Sequence, residues 1–401
     1  MPYLHILRSP FVTRLLLGSW VGRLPPAMAA LAIPLALRDA GASYDFVGAA
    51  AGAFAIASAV GSPLLGRLVD RIGQTSVLAA TAVLSGAGFA AIALAPGRHA
   101  IVLAGAVLAG AATPPIEPCL RALWPDLVPA RNLESAYALD SSAQELIFVT
   151  GPLVVAACIA VASPTSVLWA EALLGVVGVL VVATAAPSRR WRAEARSTHW
   201  LGPLRSPGLA ILLAGMIGMG FAIGTLNILA VHYAENRHIW GGSPTLLALN
   251  SAGALIGALV YGAMKWTLPA PRRALAFAAG LVVGYTLLIL LPAPPYMVPL
   301  MLATGMFLAP LLTVAFTLVG ELAPPGTTTE AFAWLVTLFA TGTSLGSAAT
   351  GAVLQGADEH WAASCGALGV ATTLLIVLAG QRKLAAAPVA QPHRPPVADA
   401  A

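Results

Sequence analysis

The chain has 401 residues, 58% of them hydrophobic and only 9% charged, with a formal net charge of +5. A soluble domain carries about 25% charged residues because its surface must face water, so composition excludes a soluble globular protein and lipid must cover most of the outside. Closed barrels show short alternating strands, whereas this chain shows long Ala/Leu/Val/Gly runs, so the expected class is an all-α, multi-pass membrane protein.

Apolar runs of about 20 residues predict twelve membrane-spanning helices. The first, 11–37, carries Arg23, on the order of 18 Å from the arginine-rich end at about 1.5 Å per residue. The run after Arg14 continues as a span, so no cleavable signal peptide is expected. Spans 46–66 and 76–95 are joined by GRLVDRIGQT, Gly66 to Thr75. Span 100–123 ends in ATPPIEPCLRALWP, Ala112 to Pro125, where Pro114, Pro115 and Pro118 loosen the helix around Glu117 and Arg121. Span 136–161 holds Asp140, Gln144, Glu145 and Gly151-Pro152, and span 166–185 holds Glu171. A basic connection, 187–206, precedes spans 208–232 (Thr225, Asn227), 244–264, 274–291, 297–320 (Thr304, Pro310, Thr313), 330–353 and 362–381. The Ala/Pro-rich tail 386–401 is expected to be disordered. The expected organisation is an N-terminal six-helix bundle 1–186, a cytoplasmic linker 187–206 and a C-terminal bundle 207–385.

Alternate connections differ sharply in Lys and Arg. Of the 21 basic residues, Arg38, Arg98 and Arg237 fall on one side, Arg23 lies within a span, and the others fall on the opposite side. By the positive-inside rule that side, with both termini, is expected to be cytoplasmic. Arginines in short loops argue for membrane orientation and against a nucleic-acid partner.

The two halves align on each other. Shifting by about 195 residues superposes Pro115 on Pro310, Asp126 on Glu321, Pro129 on Pro324, Ala136-Tyr137-Ala138 on Ala331-Phe332-Ala333, and Gly151 on Gly346. A shift of one more puts Gly61 and Gly66 on Gly257 and Gly262. Two parallel six-helix repeats with a site between them at the midplane is a transporter architecture.

The 66–75 segment resembles the signature loop of the major facilitator superfamily, carried here by Gly66, Leu68, Asp70, Arg71 and Gly73, with Gln74 and Thr75 in place of the trailing bases. Gly151-Pro152 is similar to the glycine–proline element of drug:proton antiporters in that superfamily, with Leu153, Val154 and Val155 where glycines usually follow. The resemblance implies two bundles rocking about a cavity lined by the first, fourth, seventh and tenth spans. It also implies that Asp70 latches the cytoplasmic side against the start of the eleventh span, near Thr327–Glu330.

Each ionised side chain near the bilayer centre costs roughly 2.5–3.5 kcal/mol, and all those within spans fall in the first half: Arg23, Glu117, Arg121, Asp140, Glu145 and Glu171. Depth places Arg23, Glu145 and Glu117 in one layer, and Glu117 and Arg121 form a favourable i,i+4 pair. Asp140 and Gln144 form another such set, while Glu171 is expected to be solvated or structural. These charges are either a static ion-pair network or the site where a proton or substrate is exchanged. Arg23, Glu117, Arg121, Asp140 and Glu145 are the expected coupling residues, and Asn227, Thr304 and Thr313 the weaker polar contacts of the cavity. Gly220/Gly224, Gly253/Gly257 and Gly342/Gly346 are expected to mark close helix packing.

No H-E-x-x-H site or G-x-x-x-x-G-K-[ST] loop occurs, and the seven histidines lie in loops, tails or span ends. Cys119, Cys158 and Cys365 lie in apolar runs as small packing residues. An enzyme or ATP-driven pump is therefore not expected, nor a cofactor or metal. The expectation is a monomeric secondary transporter of the cell membrane that exports a small amphiphilic compound in exchange for protons. Proton-coupled uptake, or a membrane sensor of the same fold that no longer cycles, are the alternatives.

Overall fold

The computed structural model describes residues 2–193 and 200–385. They form helices without any strand: α1 (Pro2–Arg8), α2 (Val12–Gly22), α3 (Leu24–Asp39), α4 (Tyr44–Ile72), α5 (Gln74–Leu94), α6 (His99–Ala111), α7 (Ile116–Leu127), α8 (Leu133–Val161), α9 (Pro164–Ala183) and α10 (Ala186–Arg190). The second half adds α11 (Pro207–Asn236), α12 (Gly242–Ala263), α13 (Ala270–Leu288), α14 (Pro294–Leu322), α15 (Thr328–Gly356) and α16 (Glu359–Leu384). The expected tail 386–401 and linker residues 194–199 lie outside the described residues.

Among the described residues, 11 helical stretches are long and apolar enough to cross a membrane, with α2–α3 and α6–α7 each counting as one stretch. The predicted span 274–291 is not among them. It corresponds to α13, a helix of 19 residues whose first turn carries Arg272 and Arg273. Those two charges dilute an otherwise apolar segment.

Proline decides where spans break. Pro25 and Pro26 supply no N–H to the carbonyls of Val21 and Gly22, so the first span divides at Arg23 into α2 and α3. The fourth span is interrupted outright from Ala112 to Pro115, with α7 restarting at Ile116. The counterpart of Pro115 behaves differently: α14 runs unbroken through Pro299 and Pro310. A single proline is absorbed as a bend, whereas consecutive prolines remove adjacent hydrogen bonds. The break belongs to the first half alone.

The repeat is written into the helix contacts. A Cβ at Gly61 would strike the backbone of Ala111, and one at Gly257 the backbone of Met306. Likewise Gly110 lies on the backbone of Phe54, and Gly305 on that of Asn250. Each second contact is the first displaced by the repeat shift, so each half closes its helices with the same glycines. Gly220 and Gly224 of α11 meet the backbone of α15 at Phe339 and Thr343, and Gly342 and Gly346 return the contact at Ile217 and Phe221. Without hydrophobic drive between helices in lipid, this close approach is what holds them.

Candidate functional site

Four charged side chains meet at the two broken spans. Arg23, buried at the α2–α3 break, places Nη1 2.9 Å from Asp140 Oδ1 and Nη2 3.3 Å from Glu117 Oε2, and also donates to Gln144 Oε1. Arg121 donates from Nε to Asp140 Oδ2 at 2.8 Å and places Nη2 2.5 Å from Glu117 Oε1. Two guanidiniums thus share two carboxylates, and the cluster is neutral. Glu117 lies in the first turn of α7, where the helix dipole favours a carboxylate. The Asp140 side chain is fully buried, whereas that of Glu117 is 20% exposed and is the most accessible of the four.

The cluster touches the pseudo-twofold axis. The Arg121 guanidinium lies over the Phe316 ring, 3.6 Å from its centroid, within cation–π range. Phe316 is the repeat counterpart of Arg121, and counterparts touch only beside the axis that relates them. Tyr137 and Phe332 are a second counterpart pair in contact, with ring centroids 6.1 Å apart. Phe316 also meets both rings, at 6.2 and 6.4 Å. Arg121, Tyr137, Phe316 and Phe332 are all buried and form a plug between the halves.

Below this plug, at the arginine-rich end, the halves are bolted together. The Asp70 carboxylate accepts the backbone N–H of Thr329 at 3.1 Å and of Glu330 at 2.9 Å. It occupies the anion site that any helix N-terminus offers. Gly66 permits this approach, since a Cβ there would sit 2.9 Å from Glu330 Cα. Gly73 ends α4 at φ +93, a conformation that favours glycine. Arg67 donates from Nε and Nη2 to the Glu330 carboxylate at 2.9 and 2.6 Å, while Arg71 is exposed.

A second crossing pairs Arg273 with Glu134 at 2.5 and 2.6 Å, and Ser135 donates to Gly262 O at 2.5 Å. Tyr3 of α1 adds a bond to Leu259 O at 2.7 Å. Burial pushes its hydroxyl up to about 12, so it remains a donor at working pH. The two ion pairs described, Arg67–Glu330 and Arg273–Glu134, both join the halves at this arginine-rich end.

The sequence model of the Major Facilitator Superfamily matches residues 15–347. The chain belongs to this superfamily. No curated protein matches the sequence. Among solved structures, a bacterial homologue of the iron transporter ferroportin in an outward-facing state is similar at 14% identity and TM-score 0.75, over 92% of this chain and 99% of that one. The E. coli fucose:proton symporter is similar at 14% identity and TM-score 0.71, over 93% and 99%. The human organic anion transporter MFSD10 is similar at 15% identity and TM-score 0.66, over 93% and 99%. This facilitator is therefore a multi-pass membrane transporter rather than an enzyme.

The remaining expected residues fall elsewhere in the facilitator. Glu145 does not join the cluster of Arg23 and Glu117. It is buried on α8 and faces the Ser251 hydroxyl of α12, across the interface between halves. Thr304 accepts from Asn250 Nδ2 at 3.0 Å and donates to Met301 O at 2.9 Å, tying α12 to α14 inside the second half. Thr313 meets Ser141 across the halves at 3.1 Å, and Asn227 is half-buried on α11. Gly151 lies beside Ala27 of α3, 3.5 Å from where its Cβ would sit, and α8 continues through Pro152.

Sequence reasoning passed over Arg67–Glu330 and Glu134–Arg273. The available signal was an acid in the first turn of both α8 and α15, with Arg67 one turn before Asp70 on the same face of α4.

Proposed function

We propose that this facilitator exports a small organic compound across the cell membrane in exchange for protons, by alternating access. The observation that supports this most is the neutral cluster of Arg23, Glu117, Arg121 and Asp140, built on broken helices beside the axis. With the arginine-rich end cytoplasmic and twelve spans, the bundles 1–186 and 207–385 rock about that axis, joined by linker 187–206. The conformer with its arginine-rich end bolted is then the outward-facing one.

Glu117, the accessible carboxylate, takes up the proton. Its neutralisation frees Arg23 and Arg121 from their second partner and leaves both on Asp140, so an anionic or polar group of the substrate meets an unbalanced positive charge. Arg121 then withdraws from Phe316, which loosens the plug. Asp70 and Arg67, with Gly66, Arg71 and Gly73 shaping the loop, form the latch that must open for the inward-facing state. Pro115, Pro310, Gly151 and Pro152 give the bending points. Glu145 with Ser251 is a second proton-sensitive contact, and Asn227, Thr304 and Thr313 supply polar contacts on the second half. One proton moving down 100 mV supplies about 2.3 kcal/mol, on the order of fifty-fold in concentration. Shared fold with a fucose:proton symporter favours uptake as the second reading.

Proteoliposomes with an imposed pH gradient decide the matter. A panel of amphiphilic organic compounds should include at least one that accumulates against its gradient only when protons flow the other way. Accumulation along the proton flow instead supports uptake. Normal transport by Arg23→Ala, Glu117→Gln and Asp140→Asn alike overturns the coupling assignment.

A further inference from the structure

Glu171 was expected to be solvated or structural, yet it is 1% exposed and neither of its carboxylate oxygens has a hydrogen-bond partner. It shares one face of α9 with Gly175 and Gly178, at i, i+4 and i+7. Gly178 lies directly on the backbone of Gly22, and a Cβ at Gly175 would sit 3.6 Å from the Pro25 ring. Glu171 is therefore aimed at the break between α2 and α3. There it lines a cavity of about 10 Å³, with Gly22, Pro25, Ser85, Thr113 and Pro114 among the other walls. That is room for about one water-sized particle.

The walls offer acceptors and no free donor. Ser85 and Thr113 both spend their hydroxyl protons on Ala109 O, at 3.1 Å each, so their lone pairs remain available. Pro25 and Pro114 have no N–H to give. Charges on the helices packed against α9 are already engaged. Arg23 holds Asp140, Glu117 and Gln144, and Arg14 bonds Val181 O and Thr184 Oγ1. Arg38 bonds Ala42 O and covers the Tyr44 ring, beside the exposed Asp39 at the far end of α3. On α8, Glu145 faces Ser251 and Glu134 pairs with Arg273. On α10, Arg189 and Arg190 are exposed. α5 carries no ionisable side chain.

An isolated ionised carboxylate in such a site is strongly unfavourable unless a positive charge joins it. We propose that Glu171, with the oxygens of Ser85 and Thr113, forms a second cation site inside the first half that takes one positive charge, as a proton or as a sodium-sized ion. A divalent ion would leave the pocket net positive, and an organic cation exceeds the space. The site backs onto both broken spans, at Gly22–Pro25 and Thr113–Pro114, the same breaks next to which Arg23 and Glu117 stand in the sequence. Binding here does not depend on the transport reading, because it is measured on the resting protein without a transported compound.

The test uses purified protein in nanodiscs. Thermal unfolding is followed as sodium chloride replaces choline chloride at constant ionic strength, and infrared spectra are recorded across pH in choline alone. A sodium-bound site gives a saturable rise in the unfolding temperature that Glu171→Gln abolishes. A protonated site gives a carboxylic-acid carbonyl band at neutral pH that Glu171→Gln removes. Either outcome supports the proposal and names the cation. Wild-type protein with no sodium effect and no such band, hence an ionised Glu171 with no cation, overturns it. Should Glu171→Gln fail to fold, Ser85→Ala substitutes for it: sodium affinity falls at least tenfold, or the carbonyl band shifts. No change in either reading with Ser85→Ala also counts against the site.

Discussion

Asp140→Asn removes one charge from the centre of the cluster and little else. Asp140 is fully buried and receives Arg23 at 2.9 Å and Arg121 at 2.8 Å. Asparagine keeps the shape and one acceptor oxygen but leaves two guanidiniums facing Glu117 alone. One positive charge is then uncompensated on guanidiniums that are only 6% and 2% exposed. Removing one partner of a buried pair costs about 3–5 kcal/mol, or about a hundredfold to a few thousandfold in the folded population. Reversible unfolding in mixed micelles, followed by the fluorescence of the 9 tryptophans, measures that cost. The exposed Asp39→Asn serves as the control. Adding Arg23→Gln to Asp140→Asn restores neutrality, because Arg121 still holds Glu117 at 2.5 Å, and should recover at least half of the loss. A cost within about 0.5 kcal/mol of the control, with no recovery in the double variant, would refute the charge-balance argument.

Three further outcomes follow from the packing and the latch. Gly224→Ala drives a methyl group into the Thr343 carbonyl of α15 and should cost about 1–3 kcal/mol in the same unfolding assay; Gly351→Ala, with open space around it, should cost nothing or stabilise. Asp70→Asn weakens two hydrogen bonds to the start of α15, each worth about 1.5–3 kcal/mol with a charged acceptor. Spin labels at the exposed Ile72 and Pro325 should then show a second, longer distance, and an unchanged single distribution would contradict a latch. Arg273→Ala breaks the second crossing at Glu134, so combining it with Asp70→Asn should raise the long-distance population above either single change; no increase would mean that the two crossings are not parallel restraints.

Much of this architecture is legible in the chain because lipid imposes simple rules. Apolar runs mark spans, and the repeat shift that joins Gly61 to Gly257 also predicts which backbones those glycines touch. Asp70 is readable as a contact to the start of α15 through the resemblance of residues 66–75 to the facilitator signature loop, and the structure places its carboxylate on the N–H groups of Thr329 and Glu330. The cluster was only half readable. Glu117 and Arg121 pair along one helix, which spacing reveals, but their shared partner Asp140 sits on α8 and reaches them only because α2–α3 and α6–α7 break where they do. Glu145 has the right depth yet faces the other half, since depth along a helix says nothing of azimuth. Of the two expectations for Glu171, its burial excludes the solvated one for the same reason: its face is set by Gly175 and Gly178 meeting α2 and α3, not by its distance from the membrane surface. The helix α13 is legible as span 274–291, but nothing in its charged first turn tells that Arg273 is committed to Glu134 on α8.

The central claim is that the buried cluster couples protons to transport through Glu117, and proton-driven flux in Glu117→Gln tests it most directly. In proteoliposomes containing a compound that the wild type accumulates under a pH gradient, Glu117→Gln should still exchange labelled for unlabelled compound across the membrane. It should no longer concentrate that compound when the gradient is imposed. Gradient-driven accumulation by Glu117→Gln at the wild-type level would contradict the account.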